Sequence, residues 1–174
     1  MPIPYTRGDV MKSYPNQFEV LPFSEQFILW AVRKWVWAHR RGLNTVDVLR
    51  EPFDQIGAPR THYALDGFMS ILSLCPETNI NIQCTCRGTV SEDENHLLNI
   101  ISVLQSKEGR DDAESLLRAW LPPAAMRWAM DQCQLLANDL AEAGHRVRAN
   151  IIGNAIASNA VLLHDVHEVP EYLN

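Results

Sequence analysis

Residues 91–106 read SEDENHLLNIISVLQS, and this stretch predicts the central helix of a helical domain. Ser91, followed three residues later by Glu94, forms a capping box, in which each side chain bonds the backbone amide of the other residue. The apolar side chains that follow cover more than half of the helix circumference: Leu97, Leu98, Ile100, Ile101, Val103 and Leu104. A helix that is apolar on most sides is typical of a protein interior, so we expect this one to run through the middle of a bundle.

The apolar spacing and the end signals of helices recur on both sides of this stretch. Five further helices are predicted at 24–41, 45–53, 59–75, 112–120 and 124–143. Gly42 and Gly144 follow two of them and predict left-handed helix ends, while Pro52 interrupts or ends the second helix. The sum is a mostly α fold, a single-domain bundle of five to seven helices.

The two ends of the chain differ in composition from this helical domain, which we place at 23–144. Residues 1–22 hold four prolines and no helical period, and they predict an extended N-terminal arm. Residues 145–174 predict a C-terminal segment that has the apolar spacing for one further helix and then a mobile end.

Residues 79–86, NINIQCTC, have the period-two alternation of a short β-strand. Ile80, Ile82, Cys84 and Cys86 alternate with polar residues, so that all four point to one face. A lone strand leaves its backbone groups unpaired unless another strand is supplied. The simplest donor is the same strand of a second copy of the chain.

Length and composition are those of one globular domain. The chain has 174 residues, of which 47% are hydrophobic and 21% charged, enough for a core of its own. Its formal net charge of -6 argues against a nucleic-acid partner. No apolar run approaches the roughly 20 residues that span a membrane, and no signal peptide is predicted. We therefore expect a cytoplasmic protein without a membrane partner.

The four side chains that could bind a metal near residue 86 are Cys75, Cys84, Cys86 and His96. Zinc and iron sites usually draw their sulfur ligands from Cys-x2-Cys pairs, and the single Cys-x-Cys here matches no standard spacing. A zinc or iron site formed by these four residues is therefore kept as the less favoured alternative.

The favoured interpretation of Cys84 and Cys86 is that both are small buried hydrophobic side chains on the alternating face. A reactive thiol is a further alternative. Arg87 and the start of the next helix favour a thiolate, whereas the acidic residues at 92–94 oppose it. A disulfide across one intervening residue would be strained.

Two predicted helices carry large apolar side chains away from their core faces. On the first helix, Trp30 and Trp37 lie seven residues apart among cationic side chains: Arg33, Lys34, Arg40 and Arg41. On the last helix, Trp128 and Leu135 have the same spacing among carboxylates: Asp131, Asp139 and Glu142. One interpretation is that both helices are buried on two sides, with arginine stems packed over the indoles.

The other interpretation of these side chains is an interface, because tryptophan and arginine dominate the energetics of protein contacts. The candidate contact face on the first helix consists of Trp30, Arg33, Trp37 and Arg40. Trp128 and Leu135 form the complementary face. Since twofold dimers are the commonest oligomers, we predict a homodimer.

Catalytic motifs are not found in the sequence, which has neither a Gly-x-Ser-x-Gly element nor a phosphate-binding glycine loop. Active sites assembled across helices need leave no motif, so the question of an enzyme stays open. We predict a non-enzymatic protein without a cofactor that acts through protein contacts. The alternative is a metal or thiol protein centred on Cys84, Cys86 and His96, with zinc as its cofactor.

Several of these stretches resemble a family of short uncharacterised bacterial proteins. They are Leu29–Arg33 in the first helix, the Cys84 and Cys86 pair, and Ser91 to Glu94 with Leu97 and Leu98. The resemblance covers roughly residues 24 to 144. It implies one helical domain and carries no activity with it.

Overall fold

The computed structural model describes residues 17–148, and this range forms six α-helices. They are α1 (Phe23–Arg40), α2 (Thr45–Gln55), α3 (Thr61–Leu74), α4 (Glu92–Leu104), α5 (Arg110–Leu117) and α6 (Pro123–Glu142). The described range contains no sheet, so the predicted mostly α bundle is confirmed. Most of the predicted N-terminal arm and the predicted seventh helix lie outside the described residues.

The helix ends follow the local signals in the sequence. Gly42 and Gly144 have φ angles of 65° and 87°, the left-handed conformation predicted for both helix stops. Pro52 does not end α2, which continues to Gln55. Pro52 removes one backbone donor from the helix interior, and the last turn of α2 forms despite it.

The core lies where α4 packs against α1, α5 and α6. As predicted, α4 is buried on most sides, with Leu97, Leu98, Ile100 and Ile101 at most 1% exposed. Helices α3 and α6 form the most extensive pair. Thr61 contacts Asp139 and Gly67 faces Gln132, so the two helices run antiparallel.

The predicted strand at 79–86 is wrong. This segment forms no strand, although the backbone amides of two alternate residues in it are hydrogen-bonded. The amide of Asn81 donates to Asp93 Oδ2 at 2.7 Å, and that of Gln83 donates to Glu94 Oε1 at 3.2 Å. Carboxylates in the first turn of α4 thus bond the amides that a partner strand would otherwise have bonded. No second copy of the strand is needed to satisfy these two groups.

The two ends of the described range, near residues 17 and 148, pack on the bundle. A 3-10 turn at Phe18–Val20 follows the single isolated β-bridge of residues 17–148, which joins Gln17 and Thr89. At the other end, the amide of Arg148 donates to Glu25 Oε1 at 3.1 Å. No helix within the described residues has the length and apolar content needed to cross a membrane.

Candidate functional site

A buried ion pair joins α1 to the start of α4. Arg33 is 2% exposed and Glu94 is 0% exposed. The guanidinium donates from Nε to Glu94 Oε1 at 2.7 Å and from Nη2 to Oε2 at 2.8 Å, a bidentate geometry that only arginine offers. The assignment of Arg33 to an exposed contact face is therefore wrong, because a buried and fully paired side chain cannot meet a partner.

The same guanidinium holds the loop that follows the Cys-x-Cys pair. Arg33 Nη1 donates to the carbonyl oxygen of Arg87 at 2.7 Å, and Nη2 donates to that of Thr89 at 2.8 Å. The ring of Phe18 covers the guanidinium at 4.9 Å. Arg33 thus connects the core to the loop, a role that a helical wheel of α1 cannot reveal because the loop is distant in sequence.

The two α1 tryptophans of the predicted contact face, Trp30 and Trp37, are both packed within the domain. Trp30 is partly buried against the core, with its ring 5.9 Å from that of Phe27. Trp37 is covered by two cations, with Lys34 Nζ at 4.0 Å and Arg41 Cζ at 4.5 Å from its ring. These cation–π contacts agree with the interpretation in which basic side chains pack over the indoles.

Arg40 is the exposed member of the predicted contact face, two helical turns after the buried Arg33. It lines an open cleft of about 710 Å³ between α1, α3 and the segment at 76–82. His39 stacks on Trp35 in the wall of the same cleft, with ring centres 4.6 Å apart. The four predicted residues on α1 therefore do not form one continuous exposed surface.

Trp128 and Leu135, the predicted complementary face, are 69% and 51% exposed. Two further large apolar side chains on the neighbouring α3 are also exposed, Tyr63 at 56% and Leu74 at 79%. Sequence analysis did not single out this second pair. Its signal was present in the eleven-residue spacing, which is close to three helical turns.

These four side chains lie on the same outer side of the α3–α6 pair. Tyr63 and Leu74 are one and two turns from Gly67, and the α6 residues are each one turn from Gln132, which faces that glycine. A Cβ on Gly67 would come within 2.7 Å of the Gln132 side-chain oxygen. We call the outer side defined by Tyr63, Leu74, Trp128 and Leu135 the α3–α6 surface.

Charged side chains border the α3–α6 surface on α6. Asp131 pairs with Arg110 at 3.6 Å, and both side chains are more than half exposed. An exposed pair of this kind contributes little to stability and stays in contact with solvent. A charged pair thus lies beside the apolar side chains on the α6 side, as polar groups do at the edge of protein interfaces.

The sulfurs of Cys84 and Cys86 are bonded to each other. The turn at this point brings their Cα atoms to 5.4 Å, within the usual range for a disulfide, so the bond forms although only one residue separates the two cysteines. Both residues are exposed, so their interpretation as buried hydrophobic side chains is wrong. The strand that would have buried them does not form.

The four predicted metal ligands are not brought together. His96 Nε2 lies 2.9 Å from the carbonyl oxygen of Leu116, and its ring packs on Trp120 with centres 4.7 Å apart. Cys75 is an exposed free cysteine just after α3. Among residues 17–148, no three histidine, cysteine or acidic side chains are grouped so that they could hold a metal ion.

Cys133 is a free cysteine in the core of α6 and is 0% exposed. Burial raises the pKa of its thiol well above the usual value of 9.0, because a thiolate would lose its solvation there. The thiol therefore stays protonated and unreactive in the folded protein.

Comparisons of the chain with protein-family models, with curated proteins and with solved structures find no match. The resemblance to a bacterial family stays a prediction. The function must be argued from the chain's own geometry.

Proposed function

We propose that the protein is a self-associating helical module in which two copies pack through the α3–α6 surface. The observation that carries the proposal is the gathering of four large exposed apolar side chains on one side of two antiparallel helices. Single exposed apolar residues are common on proteins, whereas several of them on one side of a helix pair favour an interaction site.

A second copy is the occupant that this surface fits best. Trp128 and Leu135 lie two helical turns apart, with Gln132 near their midpoint. A twofold axis near that midpoint would set the α6 helices of the two copies antiparallel, with each tryptophan against the partner's Leu135. Every such contact then occurs twice, which is the property of a closed twofold interface.

The dimer proposed here differs from the one expected from the sequence. That dimer paired a basic tryptophan face on α1 with the face on α6, which requires two different surfaces. Because Arg33 is buried and Trp37 is covered by Lys34 and Arg41, these two members of the expected α1 face offer no exposed apolar area for this contact. Two copies that pack through the same α3–α6 surface need no second, complementary face.

The energetic weight of Trp128 can be worked out from its exposure. An aromatic side chain buries about 150–250 Å² at most, so 69% exposure leaves on the order of 150 Å² uncovered. At about 25 cal/mol per Å², burial of half of this area contributes roughly 2 kcal/mol per copy. Counted twice across a twofold axis, the loss is about 4 kcal/mol, or roughly a thousandfold in the dimer Kd.

The test compares two leucines of similar exposure on different surfaces. Leu135 is 51% exposed on the α3–α6 surface, and Leu43 is 46% exposed just after α1. Sedimentation equilibrium should find wild type and Leu43→Ser as dimers and both Leu135→Ser and Trp128→Ser as folded monomers. A wild type that is monomeric at all accessible concentrations would refute the proposal, as would equal effects of the two leucine variants.

A further inference from the structure

We propose that the Cys84–Cys86 pair is a thiol–disulfide exchange site that accepts two electrons from a thiol reductant. Exchange requires that a thiolate can reach a disulfide sulfur. Both cysteines are exposed, and they close a loop with a single residue between them. The proposal does not depend on the dimer, because the dimer contacts lie on α3 and α6 and the two cysteines lie in the loop before α4.

The loop is held in place without the sulfur–sulfur bond. After the pair, Arg33 fixes the carbonyl oxygens of Arg87 and Thr89 at 2.7 and 2.8 Å. Before it, Gln83 donates its amide to Glu94, the ion-pair partner of Arg33. One buried ion pair thus anchors both sides of the Cys-x-Cys turn, so opening the bond leaves the anchors intact.

A structural role for the bond is weakly supported by its place in the chain. A disulfide stabilises a fold mainly by restricting the unfolded chain, and the effect grows with the length of the loop that is closed. A sequence separation of 2 closes almost the shortest possible loop. The bond therefore adds little that the anchors have not already supplied.

The charges near the turn also differ from what the sequence suggested. The acidic residues at 92–94 oppose a thiolate only where their charge is free. Glu94 is paired with Arg33, and Asp93 accepts the amide of Asn81 at 2.7 Å, so the exposed Glu92 is the main carboxylate of this group that still opposes a thiolate. Arg87 is exposed next to Cys86, and its cation favours an approaching thiolate.

The exchange balances in two steps. A reductant thiolate attacks one sulfur of the pair, the sulfur–sulfur bond breaks, and the other cysteine leaves with the electron pair and takes up a proton. A second reductant thiolate then attacks the mixed disulfide, forms the reductant's own disulfide and releases the second cysteine. One protein disulfide and two reductant thiols become two protein thiols and one reductant disulfide.

The first test counts thiols in the folded protein. The oxidised chain should have two free thiols, Cys75 and Cys133. After incubation with reduced glutathione, acid quenching and alkylation in denaturant, we expect four, with the new pair mapped to Cys84 and Cys86 and the circular dichroism unchanged. Oxidised glutathione should return the count to two. A bond that opens only when the protein unfolds would overturn the proposal.

The second test traps the intermediate. In a Cys75→Ser background, Cys86→Ser leaves Cys84 without its resolving partner, so glutathione disulfide should leave one stable adduct per chain by mass spectrometry. The matched control, Cys75→Ser alone, should lose the adduct as Cys86 displaces it. Equal adduct levels in the two proteins, or none in either, would contradict an exchange site.

Discussion

Replacing Arg33 with alanine should destabilise the domain more than any surface charge deletion. The guanidinium makes four hydrogen bonds, two to Glu94 and two to carbonyl oxygens of the loop. Its removal leaves a carboxylate that is 0% exposed without a counter-charge. Breaking a buried pair in this way costs about 3–5 kcal/mol. At roughly 2–4 °C per kcal/mol, we expect the Tm to fall by about 8–16 °C for a 4 kcal/mol loss.

The assay is urea unfolding followed by circular dichroism, with a double-mutant cycle over Arg33 and Glu94. Because both single variants leave a buried partner unpaired, the double alanine variant should be less destabilised than the sum of the two. The matched control is the exposed pair of Arg118 and Glu114, whose closest atoms lie 2.6 Å apart. Arg118→Ala should change the free energy of unfolding by less than about 1 kcal/mol.

Arg33→Lys separates charge from geometry. Lysine keeps the positive charge but loses the planar fork that bonds both carboxylate oxygens and both carbonyls. We expect most of the destabilisation of Arg33→Ala to persist. The reasoning is refuted if Arg33→Ala unfolds within about 1 kcal/mol of the wild type, or if Arg33→Lys is neutral, because either result would mean that Glu94 is not held as described.

Two further predictions concern packing and burial. A Cβ at Gly109 would lie 1.7 Å from the backbone oxygen of Val103. Gly109→Ala should therefore lower the free energy of unfolding in urea by about 1–3 kcal/mol. The control is Gly88→Ala, which should be close to neutral because nothing lies within 4 Å of a Cβ there. Burial raises the pKa of the Cys133 thiol above 9.0, so the unfolded chain ionises first and stability is lost as pH rises above that value. Cys133→Ala should remove up to about 1.4 kcal/mol per pH unit of that loss, measured by unfolding at matched pH values, and an unchanged slope would contradict the burial.

The helices could be predicted because their signals are local. The capping box of Ser91 and Glu94 forms as expected, with the Glu94 amide donating to Ser91 Oγ at 3.1 Å and the Ser91 amide donating to Glu94 Oε2 at 2.9 Å. The left-handed glycines at 42 and 144 end their helices for an equally local reason. Such features depend on neighbours within one turn, which a sequence displays directly.

The strand was mispredicted because alternation indicates an extended backbone but does not show which groups form hydrogen bonds with that backbone. The segment at 79–86 has the right period, but its amides are bonded by side chains of α4. Glu94 contributes to the capping box, the ion pair and this segment at once. A second use of a carboxylate by a residue eleven positions away in the chain leaves no periodic signal.

The candidate site was half predictable for the same reason. Trp128 and Leu135 were found because exposure on one helix follows from its wheel. Arg33 was misplaced because a helical wheel shows the direction in which a side chain points but not which other part of the chain covers it. The loop at 87–89 covers that direction, whereas Arg40, on the same side two turns later, stays exposed. Which loop covers which helix is a long-range property.

The buried charges of Arg33 and Glu94 are better explained by the loop than by stability. A buried ion pair can often be replaced by apolar side chains of similar volume without loss of stability. Here such a replacement would also leave four backbone groups without their hydrogen-bond partners. They are the amides of Gln83 and Ser91 and the carbonyls of Arg87 and Thr89. Unpaired backbone groups favour a loop that moves out into water. The helical core would therefore tolerate the apolar pair, but the Cys-x-Cys turn would lose its position, so the charges fix where the two sulfurs are presented.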